Sequence, residues 1–132
     1  MKKLWKVFVI GDLCWTDQQI IAAHYLELAN NFTLRACSGD YIGASKIAGS
    51  RAMALGIPTM VYPHAWKRGN ITANIERHIL ILEEWKPDMV IGYHDSIKKS
   101  KVTKAVLAKA YEMGMVVELM SLKGQVFIKR KK

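Results

Sequence analysis

Short β-branched runs alternate with helix-patterned segments along this chain, and that alternation constrains the fold more than any single motif. Leu4 to Ile10 is apolar and β-branched apart from Lys6, the pattern of a buried strand. Gly11-Asp12 closes it. Thr16 or Asp17 then caps a helix from about Gln18 to Asn30, with Ile20, Ile21, Ala23, His24, Leu26 and Leu28 on its apolar side. Phe32 to Ala36 is a second strand, a second helix lasts to about Leu55 and stops at Gly56, and Pro58 opens a third strand, Thr59 to Tyr62. A third helix from Ile71 or Thr72 to Trp85 is broken by Pro87-Asp88 before a fourth strand, Met89 to Tyr93. A fourth helix begins at Ser100 or Lys101 and ends near Met113-Gly114. Met115 to Met120 is a fifth strand, and Lys123-Gly124 turns the chain into a last short strand, Gln125 to Ile128.

This order predicts a single α/β domain: a mostly parallel sheet with helices on both faces, right-handed crossovers and a C-terminal hairpin strand. A chain of 132 residues is long enough to bury such a core without staples. Its 51% hydrophobic and 23% charged content excludes overall disorder. No apolar run approaches the length of a bilayer span, and the stretch after Met1-Lys2-Lys3 is too short for a secretory signal. The expected location is therefore the cytoplasm, with Cys14 and Cys37 as free thiols and no membrane partner.

In parallel sheets of this kind ligands sit beyond the carboxyl ends of the strands. Four loops should gather there: Gly11 to Asp17, Ser38 to Ala44, Tyr62 to Asn70 and Tyr93 to Ser100. In the second of them, Gly39 and Gly43 allow positive φ and close approach of a bound group, and the helix start that follows offers unpaired N–H groups to an anion. The same glycines also suit a plain tight turn. Asp40 can hydrogen-bond a ribose or base, or cap the helix. Gly11 and Asp12 end the first strand where a nucleoside would approach, or simply turn the chain.

Ser100, Lys101, Thr103 and Lys104 form a candidate phosphate-binding helix start, or a solvated lysine-rich one capped by Ser100. Trp66 and His64 are placed to stack on a base or sugar, or to pack under their loop, and His94 joins the candidates in the fourth-strand loop. His24, His78 and His94 lack metal-ligand spacing and the cysteines form no CxxC pair, so neither a metal nor another cofactor is expected. The net charge of +9, from 20 Lys and Arg against 11 Asp and Glu, favours anionic partners. Part of it is the terminal cluster Lys129-Arg130-Lys131-Lys132, and part is Lys98, Lys99, Lys101 and Lys104.

The order of motifs resembles the YspA-type branch of the SLOG superfamily, the Rossmann-like group that includes LOG proteins and DprA/Smf. The matching pieces are Val7-Phe8-Val9-Ile10-Gly11 with Trp15-Thr16-Asp17, Ser38-Gly39 with Gly43-Ala44, Ala65-Trp66 with Gly69, Arg77-His78, Pro87-Asp88, and Ser100-Lys101-Val102-Thr103-Lys104. The resemblance adds Trp15, Ala44 and Arg77 to the ligand-binding candidates. The sequence departs from the pattern at Ser45 (usually Asp), His78 (usually Asn) and Val102 (usually Gly), and the glutamate that LOG enzymes carry after their Gly-Thr is absent.

The resemblance thus implies a Rossmann-like protein that binds a nucleotide or nucleotide-derived signal. It favours sensing or sequestering that molecule, as a phage-type sponge would, over turning it over. Two alternatives stand beside it: LOG-type N-glycosidic hydrolysis or ribosyl transfer using Asp12, Asp40, Asp95 or Glu76, and DprA-like nucleic-acid binding driven by the charge. Members of the family often form homo-oligomers, for which Trp5, Trp85 and the methionines could supply an interface.

Overall fold

The computed structural model describes residues 2–12, 14–39, 43–62, 71–95, 101–122 and 124–129, with the side chains of 71–73 and 124–129 excepted. The chain runs β1 (Lys3–Gly11), α1 (Gln18–Ala29), β2 (Phe32–Gly39), α2 (Ala44–Ala54), β3 (Thr59–Tyr62), α3 (Ile71–Trp85), β4 (Met89–Tyr93), α4 (Lys101–Glu112), β5 (Val116–Ser121) and β6 (Gly124–Lys129). The strands form one sheet in the order β3-β2-β1-β4-β5-β6. All neighbours pair in parallel except β5 with β6. The alternation of strand and helix patterns therefore yields the expected architecture, a Rossmann-like α/β domain with a hairpin strand on one edge.

Side-chain alternation along the central strands divides the core in two. Val7 and Val9 of β1 and Ile91 of β4 face α1 and α2, where they meet Ile21, Tyr25 and Ala48. Phe8 and Ile10 of β1 and Val90 of β4 face α3 and α4, against Leu82, Val106 and Leu107. All of β4 is buried. No helix among the described residues is long and apolar enough to cross a membrane.

β2 is longer than its apolar run suggests. It continues through Cys37, Ser38 and Gly39, because those residues find partners in the neighbouring strands: Cys37 opposite Phe8 and Met60, Ser38 opposite Val9 and Val61, and Gly39 opposite Tyr62. Backbone pairing overrides the weak strand propensity of Ser and Gly. α1 starts where expected, with the Asp17 carboxylate accepting the Ile20 N–H at 3.0 Å. α2 lies close to the sheet because the face it buries is made of Ala44, Ala48, Gly49 and Ala52.

The Pro87-Asp88 break serves the amino edge. Asp88 accepts the Lys6 N–H on Oδ2 at 2.8 Å and donates its own N–H to the Lys6 carbonyl at 2.9 Å, while its carbonyl takes the Val116 N–H at 3.0 Å. Lys6 Nζ reaches over the Trp85 ring, 5.0 Å from its centroid, and donates to the Trp85 carbonyl. Trp5 stacks on Phe32 at 4.6 Å. Both tryptophans considered for an interface thus have ring contacts within the chain.

Candidate functional site

The order β2-β1-β4 reverses the direction of winding between β1 and β4, and at their carboxyl ends the chain leaves toward opposite faces of the sheet. Gly11 and Tyr93 are register partners at this point. A Cβ on Gly11 would stand 2.3 Å from the Tyr93 carbonyl oxygen and 2.8 Å from Ala44 Cβ, so the strand end and the helix start meet here at a distance only glycine permits. Gly11 is crowded by the protein's own backbone, which explains its presence independently of any ligand.

Asp12 organises the turn beyond it. Its N–H donates to the Tyr93 carbonyl at 2.9 Å, and its carbonyl accepts from Trp15 N–H at 3.2 Å and Ala44 N–H at 3.0 Å. Its Oδ1 accepts the Cys14 N–H at 3.0 Å, closing an Asx turn. The first loop, the end of β4 and the start of α2 are therefore tied together through one residue. One of the N–H groups expected to face an anion at the start of α2, that of Ala44, is taken up by this contact.

Gly43 precedes α2 with φ 90° and ψ −146°, a backbone region essentially reserved for glycine. Gly39 is a different case. It lies inside β2 opposite Tyr62, its φ is not positive, and among the described residues a Cβ there would meet nothing within 4 Å. The positive-φ argument applies to Gly43 and not to Gly39.

Burial sorts the remaining candidates. Trp15 is 4% exposed, its Nε1 donates to the Asp17 carbonyl at 2.8 Å, and its ring lies 5.5 Å from that of Tyr93. Ala44 is fully buried against Gly11. Thr103 is buried on the other face, its methyl packed toward Gly92 and its side chain engaged. These three hold the edge together from beneath. Lys101 and Lys104 are exposed on the first turn of α4, and His94 is half-buried at the end of β4, its N–H donating to the Met120 carbonyl at 3.0 Å. Arg77 is half-buried on α3 and engaged within the chain. Asp40, Trp66 and Ser100 lie outside the described residues, as does His64. Asp95, considered for catalysis, caps the β5–β6 turn, its Oδ1 accepting the Leu122 N–H at 2.9 Å.

One buried polar group was not singled out from the sequence. His24 of α1, Tyr93 of β4 and Glu118 of β5 converge beneath the switch point, with exposures of 7%, 1% and 4%. His24 Nδ1 is 2.8 Å from the Tyr93 hydroxyl and Nε2 is 2.6 Å from Glu118 Oε1. Burial pushes the Tyr93 phenol well above its ordinary value, and the neighbouring Tyr25 and Glu118 add to this, so it stays a neutral hydroxyl. A signal was present: Glu118 is the one charged residue of the run Met115 to Met120, where a buried parallel strand should be apolar.

Cys14 is exposed at the first loop, while Cys37 is buried and its thiol is pushed up to about 12 by desolvation. No group of three or more His, Cys, Asp and Glu residues among those described could hold a metal ion. An open groove lies on the opposite, amino edge, lined by residues including Trp5, Glu83, Lys86, Asp88 and Met113. Its Asp88 carboxylate is committed to the Lys6 amide, and among the described residues none from the four carboxyl-edge loops lines it.

No family model matches the chain, and no curated protein does. Solved structures do. The fold is similar to that of a UDP-N-acetylglucosamine 2-epimerase, with a TM-score of 0.58 and 19% identity over 90% of this chain and 32% of the other. It is also similar to the UDP-GlcNAc 2-epimerase from Neisseria meningitidis bound to UDP-GlcNAc, with a TM-score of 0.52 and 20% identity over 91% of this chain and 32% of that one. The chain thus spans about a third of the length of these enzymes, and the likeness is one of fold.

Proposed function

We propose that this chain binds a nucleotide-derived small molecule at the carboxyl edge of its sheet, over the Gly11–Asp12 turn and the start of α2. The observation that carries the reading is the tied turn at the switch point: Asp12 joins β4 to the first residue of α2, next to a Gly43 held in a glycine-only conformation. That is where α/β sheets of this order receive ligands. Two further points support it. One of the structures sharing the fold holds a nucleotide sugar, and exposed Lys101 and Lys104 bring positive charge to the same edge. The SLOG resemblance points to the same ligand class.

Binding or sequestration fits this edge better than turnover. Asp12 Oδ1 and Asp95 Oδ1 both accept backbone amides, and the LOG-type glutamate is missing from the sequence. A sponge for a nucleotide messenger is the setting that the resemblance implies. The test is a thermal-shift panel of UDP-GlcNAc, nucleoside mono- and diphosphates and cyclic nucleotides, with mass spectrometry of small molecules released on denaturation. A ligand that binds only the native state raises the melting temperature with its concentration. Recovery of an intact nucleotide supports the reading. Release of free base or ribose phosphate overturns the preference for binding over turnover, and no response to any nucleotide overturns the ligand class.

A further inference from the structure

We propose that the buried Glu118–His24–Tyr93 chain is a positioning device, setting from beneath the sheet edge the turn that receives the ligand. The inference rests on the ligand reading above for its functional meaning, but its structural content is independent. A carboxylate and an imidazole inside a core cost more than apolar residues of the same volume unless every partner is in place. Here the three side chains meet in one line: His24 Nδ1 is 2.8 Å from the Tyr93 hydroxyl and Nε2 is 2.6 Å from Glu118 Oε1.

What makes this chain more than a core hydrogen bond is the other end of Tyr93. Its carbonyl accepts the Asp12 N–H, it crowds Gly11, and its ring lies against Trp15. Trp15 in turn holds the Asp17 carbonyl at the start of α1. Fixing the phenol oxygen therefore fixes the ring, and the ring and carbonyl fix the Asp12 turn and, through it, Ala44 of α2. Tyr93, His24 and Glu118 touch no ligand in this scheme. They act through Asp12.

The test is amide NMR on the full chain with Tyr93→Phe and Glu118→Gln, two variants that alter opposite ends of the chain by a single polar group. The expected result is that both move the amide resonances of Asp12, Trp15 and Ala44 in the same direction, although none of these touches the altered atom, and that both weaken UDP-GlcNAc or nucleotide binding several-fold. Shifts confined to His24, Tyr25 and residue 118, with those three amides unmoved in both variants, overturn the proposal. If the amides move while no nucleotide binds even the wild type, the ligand reading fails and the positioning inference stands. If binding is intact in both variants and the amides are unmoved, the reverse holds.

Discussion

The main-chain N–H of Asp12 donates to the carbonyl of Tyr93 at 2.9 Å, while the Asp12 carbonyl accepts from Ala44 at 3.0 Å. One peptide-level bridge thus connects the two halves of the sheet where their winding diverges. Gly11, directly before it, has no room for a methyl group. Gly11→Ala is expected to lower stability by about 1–3 kcal/mol, the usual cost of overpacking a filled site. Urea unfolding measures it, and a midpoint equal to wild type would show that the strand ends relax apart freely.

The two glycines of the second loop should behave differently. Gly43→Ala forces a side chain into φ 90°, ψ −146° and should cost about 1–3 kcal/mol. Gly39→Ala, at the end of β2, meets nothing within 4 Å among the described residues and should change stability by about 0.5 kcal/mol or less. Similar denaturation midpoints for the two variants would contradict the assignment.

Asp17 tests the start of α1 separately from the ligand edge. Asp17→Ala removes the acceptor for the Ile20 N–H and should cost about 1 kcal/mol. Helix content and nucleotide-induced thermal shifts should otherwise persist. A larger loss would mean that Asp17 also anchors Trp15 through more than its carbonyl.

The buried thiol predicts an alkaline weakness. Cys37 is raised from 9.0 to about 12, so the folded state keeps its proton where the unfolded chain gives it up. Its contribution is fully present below about 9 and is lost as pH rises toward about 12, where both states ionise. Buried Tyr25 and Tyr93 shift in the same direction and steepen the fall. Stability should drop above pH 9, and Cys37→Ala should make the decline shallower. In thiol labelling at neutral pH, Cys14 should react in the native protein and Cys37 only after unfolding.

The sheet was readable because continuous apolar, β-branched runs and helix-length apolar patterns are properties of the sequence itself, and the helix and strand limits fall within a few residues of them. β2 is the exception. Its last three residues are strand only because they pair with neighbouring strands, Cys37 and Ser38 with both β1 and β3 and Gly39 with β3, a tertiary fact with no local signature. The site was legible in part. Spacing located the switch-point loops, yet it could not tell that Trp15, Ala44 and Thr103 face inward, because Trp15 lies in a loop with no period and Ala44 and Thr103 sit in the first turn of a helix, where the exact start decides the face. Glu118 was visible as an oddity in its strand. Its meaning depended on His24 and Tyr93, which are far from it in sequence and meet it only after folding.

The small-residue face of α2 has a consequence for how a ligand would be met. Ala44, Ala48, Gly49 and Ala52 leave almost no side chain between the helix and the sheet, with Ser38 Oγ only 3.0 Å from where a Cβ on Gly49 would stand. Such a contact cannot slide or roll without backbone running into side chain, so the helix has one seat. The amide groups at its start are consequently aimed before any ligand arrives. An incoming phosphate would find this helix already in place, so no entropy would be lost in ordering α2 itself. The part of any selectivity that α2 contributes would come from the fixed position of its first turn, which rejects groups that do not match it.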